Sequence, residues 1–348
     1  MTSRVKLVHV GLGGWGLDWE RNAIPPVAEI DTVAWVDAHA PTLAAAQEKL
    51  GLPSDRCFTS IADAFAAVDA DALLITAPQP AHVPLAIEAM EAGKHVLCEK
   101  PLSVSIEEGK LAVEVAERTG NVLMVSQQYR NYPAVRKAAQ LVANRHFGDV
   151  GTVRVDFRKW ANTAAREGHK HYFIDHPLIF DMAIHHFDLM RCVLQREPVS
   201  VYAKVTDPAW SKFEQEGAAA ITIEFEGGIV VSYRGSWVSP DKPTTWAGDW
   251  NLECETGTIF FTSREGGEAG VSGDVVTTYE PGVGERRVSL VKPRFWGRSA
   301  GLVRFAEAIA SGEAPETSAR DNLGSIALME AAARASLSGE VEPVERVF

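Results

Sequence analysis

The chain has 348 residues, about two domains' worth, with 46% apolar and 23% charged residues, the make-up of a globular protein in water. Its 34 basic and 46 acidic side chains leave a net charge of −12 with no block of like charge, which argues against nucleic acid or an anionic membrane surface as the main partner. Four scattered cysteines without a CxxC pair, and no apolar run near the ~20 residues of a membrane span, exclude a disulfide framework, a zinc knuckle and a transmembrane helix; a reducing cytoplasm fits.

Val5 to Val10 is an apolar run of strand length, and it reads as a first strand rather than part of a signal peptide. It passes at once into Gly11-Leu12-Gly13-Gly14-Trp15-Gly16. Strand, GxGxxG and helix in succession is the context in which that motif means dinucleotide binding. Gly11 permits the tight turn, Gly13 lets the backbone approach a pyrophosphate, and Gly16 allows close packing of helix on sheet. A second strand, Thr32 to Val36, ends in Asp37, 21 residues after Gly16. An acidic residue there accepts hydrogen bonds from both ribose hydroxyls and repels a 2′-phosphate, so NAD is expected over NADP. The alternative for Asp37 is a solvated strand end.

Alternation continues with helices at Pro41–Leu50 and Ser60–Val68, the latter capped by Ser60, and a strand at Ala72–Thr76. The turn after that strand brings Thr76, Pro78 and His82 toward a cofactor, although His82 reads equally well as a capping or surface histidine. The strand His95–Cys98 then stops at Glu99-Lys100-Pro101. A carboxylate, an amine and a proline at the carboxyl end of a parallel strand lie where open α/β sheets bind ligands. Burial and nearby positive charge lower a lysine's pKa, which suits Lys100 to proton handling; the plain alternative is a surface Glu-Lys pair. A helix at Ser105–Arg118 and a sixth strand at Asn121–Val125 complete a dinucleotide fold ending near Gln127, a further cofactor candidate.

Beyond residue 127 the pattern changes. Strands at Thr152–Trp160, Val199–Val205, Ala218–Phe225, Ile229–Trp237, Asn251–Glu255 and Thr258–Thr262 indicate a second, α+β domain with a broad, mostly antiparallel open sheet. Glu226-Gly227-Gly228 reads as a hairpin turn. The domains expected are therefore 1–127, a Rossmann dinucleotide-binding domain, and 128–348, for substrate and oligomerisation. Of two closing helices, Gly301–Ser311 and Asp321–Leu337, the first is expected to return to the cofactor domain. Asp175-His176-Pro177 precedes a helix read over Leu178–Leu194, which carries Asp181, His185, His186 and Asp188. Asp181 and His185 lie one turn apart on one face, so the carboxylate can orient the imidazole for general-base work. The alternatives are a structural Asp-His pair and a metal site from His176, Asp181, His185 and His186; adjacent histidines diverge and no HExxH occurs, so no metal is expected.

GLGGWG, Asp37, CEKP and DMAIHHFD in this order resemble the Gfo/Idh/MocA oxidoreductases over essentially the whole chain. The resemblance implies a Rossmann domain, an α+β domain whose open sheet serves oligomerisation as a dimer or tetramer, and NAD(P)-dependent oxidation of a sugar or cyclitol hydroxyl. It makes Lys100, Asp181 and His185 the catalytic set, with Glu99 touching the nicotinamide ribose. Asp175-His176-Pro177 replaces a glycine triplet common in that family, in a loop that lines the sugar pocket, which puts substrate identity in question. Tyr129, Arg158, Trp160, His171, His176 and Trp296 are candidates for the substrate wall, because aromatic faces suit sugar rings and polar side chains bind hydroxyls. Two other readings keep the fold: a redox-neutral lyase or glycosidase using NAD transiently, and a sugar sensor without catalysis.

Overall fold

The computed structural model describes residues 4–266 and 270–347. By contacts the chain forms two units, Met1–Gln128 with Arg298–Leu323, and Tyr129–Gly297 with Gly324–Phe348.

The first unit is built on six strands: β1 (Val5–Val10), β2 (Ile30–Val36), β3 (Cys57–Phe58), β4 (Ala72–Ile75), β5 (His95–Cys98) and β6 (Leu123–Val125). All pair in parallel, in the order β3-β2-β1-β4-β5-β6, so the sequence direction of winding reverses between β1 and β4. A parallel sheet is covered on both faces, and the central strands are correspondingly continuous in apolar residues: Leu73, Leu74, Val96 and Leu97 are all buried. The crossovers carry α1 (Gly14–Asp18), α2 (Ala40–Leu50), α3 (Ile61–Ala67), α4 (His82–Glu91) and α5 (Ile106–Thr119). Ser60 caps α3 by accepting the Asp63 N–H, as its position suggested. One core cluster joins Trp19, Ile24, Leu97 and Met124 to Leu302 and Phe305, which belong to the later segment 298–323. That segment also adds a backbone bond from Val125 N–H to the Thr317 carbonyl.

The second unit begins with α6 (Pro133–Ala143) and β7 (Val150–Arg158) and continues, after a loop, with a helical stretch. That stretch is not the single α-helix expected over Leu178–Leu194: Pro177–Ala183 is a π-helix, and only Ile184–Leu194 (α7) is α-helical. Strands β8 (Pro198–Thr206), β9 (Ala218–Phe225), β10 (Ile229–Ser236), β11 (Asp249–Cys254), β12 (Thr258–Thr262), β13 (Val275–Glu280) and β14 (Gly284–Arg287) follow. Then come α8 (Gly297–Ser311), α9 (Ala319–Ser338) and β15 (Glu342–Pro343). The nine strands of the unit pair in the order β14-β13-β12-β11-β7-β10-β9-β8-β15. Every pairing is antiparallel except β10 with β7, which is parallel. Inward side chains such as Val153, Val155, Phe157, Ile221, Ile223, Trp250 and Phe261 are buried, and the alternate residues form an open face. Below the sheet, Arg130 grips Asp188 through two bonds of 2.7 Å, with the Ser325 hydroxyl donating to the same carboxylate at 3.1 Å. Both ions are buried, so the pair ties the turn carrying Arg130 to the middle of α7.

Candidate active site

In the first unit, the carboxyl ends of β1, β4, β5 and β6 gather the residues expected to hold a cofactor. Gly11 leaves β1 with φ +96°, and a Cβ there would lie 2.2 Å from the Ala77 nitrogen. A Cβ on Gly16 would fall 1.9 Å from the Gly11 carbonyl oxygen, so the turn itself requires both glycines. Gly13 and Gly14 differ. A Cβ on either meets nothing within 4 Å, which leaves bare backbone facing open space where the helical stretch 14–23 begins. Such backbone is what a pyrophosphate needs. The Asp37 carboxylate accepts the Leu12 N–H at 2.8 Å and the His39 N–H at 2.9 Å, which fixes it beside the glycine loop.

Thr76 fastens that loop from below: its hydroxyl donates to the Gly11 carbonyl at 2.5 Å and bonds the buried His9 ring at 2.8 Å. Pro78 is exposed in the turn beyond. His82, read either as near the cofactor or as a capping or surface histidine, is buried. Each ring nitrogen lies 2.8 Å from a backbone carbonyl, Pro101 on one side and Ala77 on the other, so the ring ties two loops together. Burial pushes its pKa below the ordinary value, and the two carbonyl bonds offset this only partly.

Glu99 is buried, and one of its oxygens accepts the indole N–H groups of both Trp15 and Trp19 at 2.8 Å, while the other accepts the Lys100 N–H at 3.1 Å. Trp15 is 43% exposed and rests on the Arg298 guanidinium, 4.3 Å from its ring centre; Arg298 in turn pairs with Asp18. Lys100, half-buried, precedes Pro101 across a cis peptide bond. Gln127 is 2% exposed, and neither polar atom of its side chain has a hydrogen-bond partner among the described residues. A buried amide left so at a strand's carboxyl end calls for a polar guest. Bare backbone at Gly13 and Gly14, the fixed carboxylate of Asp37 and the open amide of Gln127 together fit a dinucleotide.

In the second unit the acid–base candidates lie around the π-helix and the start of α7. His185 is 4% exposed, and its imidazole lies flat on Tyr129, ring centres 4.0 Å apart and planes within 6°. The Asp181 carboxylate accepts the His171 Nε2–H at 3.1 Å, a partner that spacing along the helix could not reveal. His171 is itself held edge-on by Trp237 (5.0 Å) and Phe213 (5.2 Å). His186 points elsewhere: it is fully buried between the Tyr233 hydroxyl and the Trp246 carbonyl, and burial drives its pKa to about 4. Among the described residues no group of three His, Cys, Asp or Glu side chains is arranged to hold a metal ion.

His176 occupies the left-handed region (φ +42°), with its N–H on the Gln215 side-chain oxygen at 2.8 Å and its ring 3.3 Å from Glu216. Gln215 also donates to Asp175 at 2.6 Å, so the Asp175-His176-Pro177 loop is clamped to 215–216. Arg158, a candidate for the substrate wall, sits among carboxylates. Period-two alternation puts it on the opposite face of β7 from Phe157, which contacts His186 and Trp237. There its guanidinium lies 3.6–3.7 Å from Asp156, Asp241 and Asp249. Trp160 is 46% exposed and bridges to Val238, and Trp296 is half-buried just before α8.

Sequence reasoning passed over Lys159 and Arg264. Lys159 donates to the Thr244 carbonyl at 2.6 Å and stands over the Trp246 ring at 4.5 Å. Burial, then the charge of Arg264, push its pKa down, against Asp249. The Arg264 guanidinium lies 4.1 Å from the centre of the Tyr129 ring. Neither belongs to a motif, and only the fold brings them to this cluster.

Comparison with known proteins agrees with this architecture. Residues 5–127 match the GFO/IDH/MocA oxidoreductase family, NAD-binding Rossmann fold, and residues 135–260 match the GFO/IDH/MocA C-terminal domain. Inositol 2-dehydrogenase 3 of Saccharopolyspora erythraea is 28% identical over 99% of this chain and 96% of its own length. A 1,5-anhydro-D-fructose reductase of Ensifer adhaerens is 23% identical over 82% of this chain and 84% of its own. Aldose-aldose oxidoreductase from Caulobacter crescentus, solved with glycerol, superposes with a TM-score of 0.83 at 20% identity, covering 98% of this chain and 99% of that one. The WlbA dehydrogenase from Bordetella pertussis, solved with NADH and UDP-GlcNAcA, gives 0.78 at 23% identity over 99% of both chains. At these identities the two structures speak for the fold.

Proposed function

This chain belongs to the GFO/IDH/MocA family of NAD-binding oxidoreductases, and we propose that within it the protein oxidises a secondary hydroxyl of a sugar, sugar derivative or cyclitol. The observation that carries the reading is His185: a buried imidazole, held flat on Tyr129, four residues after Asp181. The relatives named for inositol and anhydrofructose chemistry support the substrate class.

In this reading His185 takes the proton from the hydroxyl, and Asp181, itself braced by His171, orients the imidazole. Lys100 donates a hydrogen bond to the oxygen as negative charge develops on it. A bound nicotinamide would supply the hydride acceptor. Glu99 would hold the ribose next to the nicotinamide, Gln127 its carboxamide, and Gly13 and Gly14 the pyrophosphate. Asp37 favours NAD, since a carboxylate fixed beside the loop repels a 2′-phosphate.

Absorbance of NADH, followed across inositols, aldoses, glycosides and anhydro sugars, tests the reading. One class is expected to give turnover, with kcat lowered 10²- to 10⁴-fold (about 3–5 kcal/mol) in His185→Ala and Lys100→Ala while NADH still binds by calorimetry. Near-normal turnover in either variant overturns the roles. Silence from every sugar, with cofactor tightly bound, overturns the reaction.

A further inference from the structure

Tyr129 separates two groups. Its ring, 3% exposed, has the His185 imidazole 4.0 Å from its centre and the Arg264 guanidinium 4.1 Å from it. Two planar groups at that distance from one ring centre cannot share a face, because their atoms would overlap. The phenol is therefore sandwiched, with imidazole and guanidinium about 8 Å apart on opposite sides. Arg264 is built into this place. Its Nε–H donates to the Tyr132 hydroxyl at 3.2 Å, and its backbone takes φ +64°, a conformation that residues with a Cβ seldom adopt. Asp274 holds that backbone: one oxygen accepts the Arg264 N–H (3.3 Å) and the Ser263 hydroxyl (2.8 Å), and the other accepts the Ala134 N–H (2.8 Å).

We propose that Arg264 is a positioning residue for His185, acting through the tyrosine between them to oppose a second positive charge and so preserve the proton-accepting imidazole. The proposal rests on His185 being the base. A guanidinium is charged at every working pH. Protonating His185 sets a second cation on the far face of a ring whose electrons are already drawn toward the first, in an interior that screens charge poorly. Other charged groups lie on His185's own helical stretch and on the elements packed near it. Asp181, four residues earlier, carries the sign of charge that favours the protonated form, and it accepts a hydrogen bond from His171. Asp188, nearly one turn later, is gripped by Arg130. Arg136 and Lys137 lie on α6, which packs on α7. Lys159 feels the charges of both Arg264 and Asp249, which act on it with opposite signs. Asp181 and Arg264 thus pull the imidazole in opposite directions.

The test is the pH profile of kcat/KM for wild type, Arg264→Met, Arg264→Gln and Arg264→Lys. Removing the charge raises the pKa on the acid limb by about 1.5 units, as expected for charges ~8 Å apart at an effective dielectric near 20. Arg264→Lys returns the limb most of the way. Neither neutral variant alters NADH affinity. A fall in kcat with the acid limb unmoved in both neutral variants overturns the proposal, because a structural role alone would do that. The His185 ring is also titrated directly by NMR, its signal identified by its loss in His185→Gln. A raised ring pKa without turnover in any of these proteins leaves the stack standing and sinks the reaction; an unmoved ring pKa in active enzyme sinks the stack alone.

Discussion

His185 and His186 are neighbours in sequence, yet 100° of helical rotation gives them unrelated surroundings. His186 donates from Nε2 to the Trp246 carbonyl and accepts the Tyr233 hydroxyl at Nδ1, and it stays neutral because burial takes its pKa from 6.5 to about 4. The unfolded imidazole binds a proton below about 6.5, and the folded one does so only near 4. This residue's share of stability is therefore complete above 6.5 and is lost as pH falls from 6.5 to 4, by about 3 kcal/mol. Urea unfolding at pH 7.5 and 4.5 should show that loss in wild type and a smaller one in His186→Leu; equal losses would mean that His186 does not set the acid limb. What the sequence could tell about these residues was their rotation on the helix. It could not pair His185 with Tyr129, 56 positions away, because stacking partners leave no local pattern. Arg158 shows the reverse case: the alternation of β7 was legible, and it placed the arginine on the face opposite Phe157, where the structure has it.

Whole elements were more legible than pairings. The bounds of β1, β9 and β12 follow directly from apolar runs, and three residues turn β9 into β10 where Glu226-Gly227-Gly228 was read as a hairpin. The parallel pairing of β10 with β7 was not legible, since strand order is set by long-range packing. Nor was the π-helix at Pro177–Ala183: its apolar spacing over seven residues hardly differs from that of an α-helix. The glycine loop separates two kinds of constraint that a motif merges. Gly16→Ala drives a Cβ into the Gly11 carbonyl and should lower stability by about 2 kcal/mol or more. Gly13→Ala meets nothing, so stability should hold to within about 0.5 kcal/mol while the Kd for NADH rises at least tenfold. Thermal melts beside calorimetry decide this, and equal behaviour of the two variants would refute it.

At the scale of the molecule, the second unit's sheet leaves Tyr202, Val230 and Tyr279 39%, 40% and 47% exposed on strands whose alternate residues are buried. Apolar and aromatic side chains spread across an open sheet suit association with a second copy. Light scattering should give a dimer or tetramer, and Tyr202→Glu with Val230→Glu should shift it toward monomer with NADH binding retained; a wild-type monomer would dismiss the idea. The switch from alternating β/α to runs of strands was plain in the sequence. The first closing helix, Gly301–Ser311, was expected to return to the cofactor domain, and by contacts residues 298–323 group with the first unit. The chain passes between its units three times, after Gln128, Gly297 and Leu323. Neither unit can therefore be lifted out of the gene with one pair of cuts at its ends, and a single proteolytic nick leaves both still threaded through one another's sequence. Recombination that exchanges one cofactor unit for another must carry the distant segment as well, so the two halves are constrained to be inherited as a pair.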